Sequence, residues 1–486
     1  MNKNYSRKDF IKLTTLAGAG IFITGCGGGE EQTNKDSLPL VNSTDHAQNN
    51  PPEKIAVDLI HKDDARYEEL RKGFNKRINK FPLVIALCKS TADVSEAIQY
   101  ARKNNLAIAV KSGGHSMEGF SSNDGGMVIN LSQMNSVEML EDDKIKAGPG
   151  CTLSHLYDAI LPKDRIIPAG SCGTVGLGGL TMGGGYGLFS RKFGLTCDHL
   201  LEATMVDGNG KIHSTKDDPE LLWALRGGGA GNFGVVTELV YKTHPKPETM
   251  QSHHFKSRKL DAEKAKILLQ KWFEFSAQLP DTCFSAYVLN GSTLNMLVTN
   301  FGTLTDELQL LLDNLAKETD EFKAVAPAEI SKKLKNYYGS LIPVYFKNSS
   351  AGLYKSFDDI EPFIGDVLDK VITNPGMIYQ VNMLGGKIAD AAFEKNSCYP
   401  HRAYNYISEL QAYWETPSRE EKLKQVSIEI LNTISDNGIT TQYINYCSLE
   451  FADWEKAYYG DNYSRLQTVK KKYDPENFIR HPQSIR

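Results

Sequence analysis

Two residues that can act as nucleophiles sit in glycine-rich turns. Residues 170–187 read Gly-Ser-Cys-Gly-Thr-Val-Gly-Leu-Gly-Gly-Leu-Thr-Met-Gly-Gly-Gly-Tyr-Gly, with one cysteine, Cys172, among nine glycines. So many positions without a Cβ suit backbone laid against a flat or anionic ligand whose phosphates are met by amide N–H groups. Such a run also serves as a loop or as close strand packing. Upstream, Lys111-Ser112-Gly113-Gly114-His115-Ser116 places a histidine in a Gly-Gly turn, where it is either a surface loop residue or a group with work to do near neutral pH. A third turn, residues 226–234, carries five more glycines. None of these makes a dinucleotide fingerprint, which needs Gly-x-Gly-x-x-Gly between strand and helix and an acidic residue about twenty positions on.

The elements around these turns mix strand and helix. Strand-like runs at 81–88 and 106–110 flank a helix that Ser90 or Thr91 can cap, with Val94, Ala97, Ile98 and Ala101 on one face and Asn104-Asn105 as its stop. Further strands are expected at 127–131, 144–147, 201–206 and 235–242, and short helices at 153–161 and 221–225. Asp207-Gly208-Asn209-Gly210 has hairpin-turn chemistry. From residue 248 to 446 glycine thins. Helices are expected there at 262–279, 306–317 and 419–435, and a hairpin at Asn290-Gly291 joins strands 284–289 and 294–301. Helices with antiparallel strands imply a separate α+β domain.

The 486 residues are too many for one core, and a net charge of −4 with a pI near 6.3 excludes a nucleic-acid partner held by basic excess. Eight scattered cysteines show neither metal-ligand spacing nor a disulfide framework. The chain opens as an address: Ser6-Arg7-Lys8-Asp9-Phe10-Ile11-Lys12, then an apolar stretch too short to span a bilayer, then Ile23-Thr24-Gly25-Cys26. That end resembles a bacterial lipobox, which implies an exported lipoprotein, periplasmic or at the cell surface, anchored by lipid on Cys26. The start resembles a twin-arginine signal with lysine in second place. Residues 27–52 are polar and rich in Gly, Asn and Pro, as a disordered tether would be.

Taken in order, several motifs point one way: the Gly-Gly-His turn; Cys172-Gly173-Thr174-Val175-Gly176; Met182-Gly183-Gly184-Gly185-Tyr186-Gly187; Trp223-Ala224-Leu225-Arg226-Gly227-Gly228-Gly229; Tyr443-Ile444-Asn445-Tyr446; Tyr458-Tyr459-Gly460-Asp461-Asn462-Tyr463; and Tyr473-Asp474-Pro475-Glu476-Asn477-Phe478. This arrangement resembles the FAD-linked oxidases of the vanillyl-alcohol-oxidase fold, and within them the berberine-bridge-enzyme-like group, close to bacterial and fungal oligosaccharide oxidases. The resemblance covers roughly residues 55–247 and 440–486. It implies an α+β protein with a two-part PCMH-type FAD-binding domain, built from residues 53–247 and 447–486, around an α+β substrate domain with an antiparallel sheet at 248–446.

The resemblance also implies a bicovalent FAD, with His115 bonded to the 8α-methyl and Cys172 to ring carbon C6. Both groups are nucleophiles that can add to an electron-poor ring. Ser112, Gly113, Gly114, Ser116, Val175, Gly176, Gly179, Gly183, Gly184, Tyr186, Gly187 and Asn445 would line the cofactor. Tyr446 occupies the position of the family's catalytic tyrosine, although some relatives use a glutamate elsewhere. A tyrosine with a pKa about 10 needs its phenolate stabilised to act as a base. Asn445 would orient flavin or substrate. Val175, three residues after the cysteine, is the residue type that accompanies oxidases, with O2 as acceptor and H2O2 as product. The implied reaction is oxidation of a hydroxyl, with the anomeric hydroxyl of a mono- or oligosaccharide as first choice. Tyr404, Tyr406, Tyr413 and Trp414 suit sugar stacking or core packing. A phenolic or alkaloid-like alcohol as substrate, and a non-catalytic binding lipoprotein of the same fold, remain as alternatives.

Overall fold

The structure, a computed structural model, describes residues 56–486. The export signal at 1–26, the lipid site at Cys26 and the tether at 27–52 lie outside the described residues.

A first sheet is built from β1 (Asp58–Ile60), β2 (Val84–Leu87), β3 (Ile108–Lys111) and β4 (Met127–Asn130) in the order β1-β2-β4-β3, parallel except for β1. β2 and β4 are buried along their whole length, as strands of a covered parallel sheet must be. The helix Thr91–Lys103 crosses between β2 and β3. The Ser90 hydroxyl accepts from the Asp93 N–H at its start, and it buries Val94, Ala97, Ile98 and Ala101, the face read from the sequence.

The chain then forms β5 (Val137–Leu140), β6 (Lys144–Ala147), β7 (Arg165–Ile166), β8 (Leu200–Val206), β9 (Ile212–Ser214), β10 (Val235–Lys242) and β11 (His244–Pro245). Five of these make an antiparallel sheet, β5-β6-β10-β8-β9, while β7 and β11 pair in a short ribbon. In the turn between β8 and β9 the Asp207 carboxylate accepts from the N–H groups of Asn209 and Lys211.

The second domain centres on β12 (Thr249–Ser257), β13 (Cys283–Asn290), β14 (Thr293–Asn300), β15 (Glu321–Glu329), β16 (Phe346–Tyr354), β17 (Met377–Met383) and β18 (Tyr406–Tyr413). They form one antiparallel sheet in the order β15-β12-β14-β13-β17-β18-β16. Helices Ala262–Ser276, Ile364–Thr373 and Pro417–Asp436 cover one face, around Trp272, Phe273, Tyr379 and Leu410. The other face turns toward the glycine-rich turns of the first domain. Two arginines fasten the domains together. Arg191 donates to the carbonyls of Leu279, Cys283 and Leu384, and Arg402 forms a fully buried pair with Asp198 at 2.5 Å.

The last segment returns to the first domain. Helix Tyr463–Tyr473 places Leu466 and Tyr473 in the core shared with β8 and β10, and the buried Lys470 ammonium donates to Asp474, Asn232 and Ile479. Within the glycine-rich run, residues 177–182 are a short helix rather than an open loop, since Leu177, Thr181 and Met182 all have core to enter.

Candidate active site

A cavity lies between the glycine-rich turns and the second domain's sheet, and most of the residues singled out from the sequence line it. They are Ser112, Gly113, Gly114, His115, Ser116, Cys172, Val175, Gly176, Gly179, Tyr186, Gly187, Asn445 and Tyr446. Its lining is apolar at Ile108, Val110, Leu131 and Val236 of the first domain, and carries tyrosines and amides where the second domain's sheet faces it.

The turns need glycine because backbones meet there. A Cβ on Gly113 would lie 2.2 Å from the Gly176 nitrogen, so the His115 turn and the Cys172 turn touch through their main chains. Gly113→Ala is therefore expected to push the two turns apart, lowering stability by about 1–3 kcal/mol and the flavin content of purified protein with it. Thermal melting and the ratio of flavin to protein absorbance check both effects. Gly183 and Gly184 are not part of the cavity lining. They stand behind it, where a Cβ would meet the Asn445 amide and the Tyr399 ring, and so let those side chains approach.

Thr174 joins the two nucleophiles. Its Oγ1 lies 2.9 Å from His115 Nε2 and 3.8 Å from Cys172 Sγ. The His115 ring stacks on Phe74 with centroids 4.2 Å apart, and burial lowers its pKa to about 4, so it is neutral at pH 7. Burial raises the Cys172 thiol, against hydrogen bonds from the Thr174 hydroxyl and the backbone of Thr174 and Val175. Of the two serines, Ser112 donates to the Pro149 carbonyl and Ser116 accepts from the Phe120 N–H, so their hydroxyls shape the turn and leave backbone facing the cavity.

The opposite wall comes from alternate residues of three adjacent strands: Phe346 and Asn348 on β16, Gln380 and Asn382 on β17, and Glu409, Gln411 and Tyr413 on β18. Register sets Asn348 opposite Gln411 and Gln380 opposite Glu409. A buried ion pair, Lys347 to Glu118 at 2.9 Å with Arg77 on the other carboxylate oxygen at 2.8 Å, ties β16 to the turn that carries His115. Glu409 is 3 % exposed and accepts from Asn348 Nδ2 at 2.8 Å. Burial raises its carboxyl to about 7, against the pull of hydrogen bonds from Asn348, Asn382 and Gln411.

Tyr446 stands in a one-turn 3-10 segment, Ile444–Tyr446. Its hydroxyl lies 2.8 Å from that of Tyr186, which accepts from Asn382 Nδ2 at 3.0 Å. Burial and then the nearby Glu409 push the Tyr446 phenol well above its ordinary value. No lysine or arginine is among the hydrogen-bond partners of either hydroxyl in the described residues. Asn445 lines the cavity but spends its Nδ2 on the Leu180 carbonyl and the Tyr443 hydroxyl.

The aromatic residues considered for sugar stacking divide. Tyr413 lines the cavity, Tyr406 and Trp414 belong to the helix-covered core, and Tyr404 pairs with Thr441. Glu409 was missed from sequence. A lone glutamate in Tyr406-Ile407-Ser408-Glu409-Leu410-Gln411 carries no motif, and with polar Ser408 beside it the stretch shows no clean alternation that would set position 409 apart.

Comparison with known proteins agrees with this architecture. Residues 82–216 match the FAD binding domain model and residues 442–486 the berberine and berberine-like model. The FAD-linked oxidoreductase YvdP of Bacillus subtilis is 31% identical over 449 residues, covering 88% of this chain and 97% of that protein. A chitooligosaccharide oxidase of Gibberella zeae is 29% identical over 457 residues, covering 86% and 90%. The solved structure of BBE-like 1 from Physcomitrella patens superimposes with a TM-score of 0.81 at 23% identity, covering 89% and 97%. Fold and cavity together define an FAD-linked oxidoreductase. The chain belongs to the berberine-bridge-enzyme-like family of these proteins.

The residues present fit the cofactor. The cavity lining includes apolar side chains that suit an aromatic base and glycines that present backbone, and a Cβ on Gly179 would meet no protein atom within 4 Å, which leaves room for a bound group against the short helix Leu177–Met182.

Proposed function

We propose that the protein is an FAD-dependent oxidase whose flavin is bonded to His115 and Cys172. It oxidises the anomeric hydroxyl of a mono- or oligosaccharide to a lactone and passes the electrons to O2, giving H2O2. The observation that carries this reading is Glu409, a buried carboxyl with a pKa near neutrality in the same cavity as the two nucleophiles. Thr174 holds His115 Nε2, so Nδ1 is the nitrogen left for the bond to flavin.

When bound, the flavin supplies the acceptor for the hydride of the alcohol carbon. The chain's residues manage the proton. Ionised Glu409 takes it from the substrate hydroxyl, in the role the sequence assigned to Tyr446. Tyr446 stays protonated at pH 7 and orients the substrate oxygen. The amide wall of Asn348, Gln380, Asn382 and Gln411 offers donors and acceptors to a polyhydroxylated ring, and the chitooligosaccharide oxidase relative supports a sugar. Val175 beside Cys172 supports O2 as acceptor. The stacked pair Phe346 and Tyr413, with centroids 5.6 Å apart, favours a second substrate class, aromatic alcohols.

The test is direct. The purified protein should be yellow, keep its colour in acid-precipitated pellets, bleach under nitrogen with glucose, cellobiose or chitobiose, and release H2O2 in air. A colourless pellet sinks the covalent flavin; bleaching by coniferyl alcohol and by no sugar moves the substrate to the aromatic class. Tyr446→Phe separates the two candidate bases. The expected loss is about 10-fold in the limiting rate of flavin reduction, with the inflection near pH 7 retained. A loss of roughly 100-fold or more, with that inflection abolished, would return the base to Tyr446.

A further inference from the structure

A chain of hydrogen bonds with one polarity crosses the wall of the cavity. Tyr413 Oη donates to Gln411 Oε1 at 2.9 Å, Gln411 Nε2 to Gln380 Oε1 at 3.3 Å, Gln380 Nε2 to Asn382 Oδ1 at 2.9 Å, and Asn382 Nδ2 to Tyr186 Oη at 3.0 Å. Tyr186 Oη then meets Tyr446 Oη at 2.8 Å. The first four members are at most 7 % exposed, so water does not compete for their groups.

An amide turned end for end exchanges its donor and its acceptor, so a chain of three amides is self-consistent in either direction only if its ends allow both. Here they favour one. Tyr413 has no other hydrogen-bond partner among the described residues, and reversal would leave its buried hydroxyl proton unpaired. The Glu409 carboxylate accepts from Asn348 Nδ2 and, when ionised, can only accept, so its negative charge also favours the NH2 groups of the neighbouring Gln411 and Asn382 turned toward it.

The polarity decides a proton count. Tyr186 and Tyr446 carry two hydroxyl protons, and one of them bridges the two oxygens. Asn382 presents a donor to Tyr186, so the second proton cannot be given to Asn382. With the chain reversed, Asn382 Oδ1 would take that proton and the pair would have none left. We propose that this chain, headed by Tyr413 and locked by ionised Glu409, leaves the Tyr186–Tyr446 pair one spare O–H directed into the cavity, where it donates to the oxygen of the bound alcohol as that oxygen's proton leaves for Glu409. The inference rests on the oxidase reading. It makes Tyr413, Gln411 and Gln380 positioning residues and couples the base to the donor, since both are in working order only when Glu409 is ionised. The other ionisable groups facing the pair are Tyr443 and Tyr399, neither of them a cation.

Neutron diffraction from crystals of the perdeuterated, flavin-loaded protein reads the polarity without any substrate. The deuteron on Tyr413 Oη is expected to point at Gln411 Oε1 and the deuterated NH2 group of Asn382 to point at Tyr186 Oη; the opposite arrangement overturns the proposal. Kinetics read its consequence. Tyr413→Phe should lower the limiting rate of anaerobic flavin reduction by cellobiose roughly 10- to 30-fold, with sugar affinity within about threefold of the parent, and Gln380→Met, which also removes an amide of the sugar-facing wall, should lower the limiting rate at saturating sugar by the same factor whatever its effect on affinity. The double variant should be no slower than either single one, because each breaks the same chain. Additive losses, or losses wholly in affinity, overturn the proposal. Should neither cellobiose nor any other alcohol reduce the parent protein, the oxidase reading falls while the neutron map still decides the polarity.

Discussion

Glu409→Gln is expected to lower the limiting rate of anaerobic flavin reduction by roughly 10³-fold, within the range that general bases contribute. Glutamine keeps the size and can still accept from Asn348, but cannot take a proton. The pH profile carries the sharper signature. Burial holds the carboxyl near 7, so only its ionised fraction acts, and kcat/KM of the parent should rise about tenfold per pH unit below 7 and level off above it. The variant should be flat over the same range.

Stability should move the opposite way. The folded pKa of about 7 stands above the ordinary 4.5, so the folded protein holds the proton more tightly than the unfolded chain does. The stability this contributes is whole below about pH 4.5 and is lost as pH rises through 7. The gap corresponds to roughly 3 kcal/mol once the carboxylate is fully ionised. Glu409→Gln is therefore expected to match the parent near pH 4 and to exceed it in denaturant midpoint by up to that amount at pH 8. A variant that loses activity and gains stability only at high pH would identify a buried carboxylate kept for its chemistry. Activity within tenfold of the parent would remove Glu409 as the base.

Local signals placed one half of this site. Residues 106–116 and 170–187 are legible because glycines, turn residues and short apolar strands lie next to each other in the chain, and because the backbone contact of Gly113 with Gly176 demands glycine at both positions. The helix Thr91–Lys103 and the Asn290-Gly291 hairpin were equally plain, one from its apolar spacing and one from its turn. The other half depends on sheet register. β16, β17 and β18 are buried on both faces, so their sequences show neither a clean alternation nor a turn that dates them. Nothing in the chain brings Asn348, Asn382 and Glu409 together until β17 and β16 pair on either side of β18. Tyr446 shows the same limit from the other side. Its motif marked the position, but its ionisation depends on Glu409, thirty-seven residues upstream, and on a hydroxyl of Tyr186 that only the fold supplies.

His115→Ala with Cys172→Ala should convert a flavin that survives acid precipitation into one that is wholly released. Each single change should leave the flavin attached through the other residue. The mass of the denatured protein reads this directly: one FAD retained in the parent and in each single variant, none in the double variant. The two attachments are not equivalent, because Thr174 treats them differently. It fixes the His115 ring through Nε2 at 2.9 Å and touches the Cys172 sulfur only at 3.8 Å. The imidazole is neutral and preset, held also by the Phe74 stack, whereas the thiol must lose its proton in a site whose burial raises its pKa. Attachment through Cys172 alone, in His115→Ala, should therefore be the slower and the more pH-dependent, rising with pH as the reactive thiolate fraction grows. Attachment through His115 alone should be nearly independent of pH above about 5, where the imidazole is already neutral. Flavin still fixed in the double variant would mean that neither residue is an anchor. Equal pH dependence in the two single variants would leave both anchors in place and refute the difference between them.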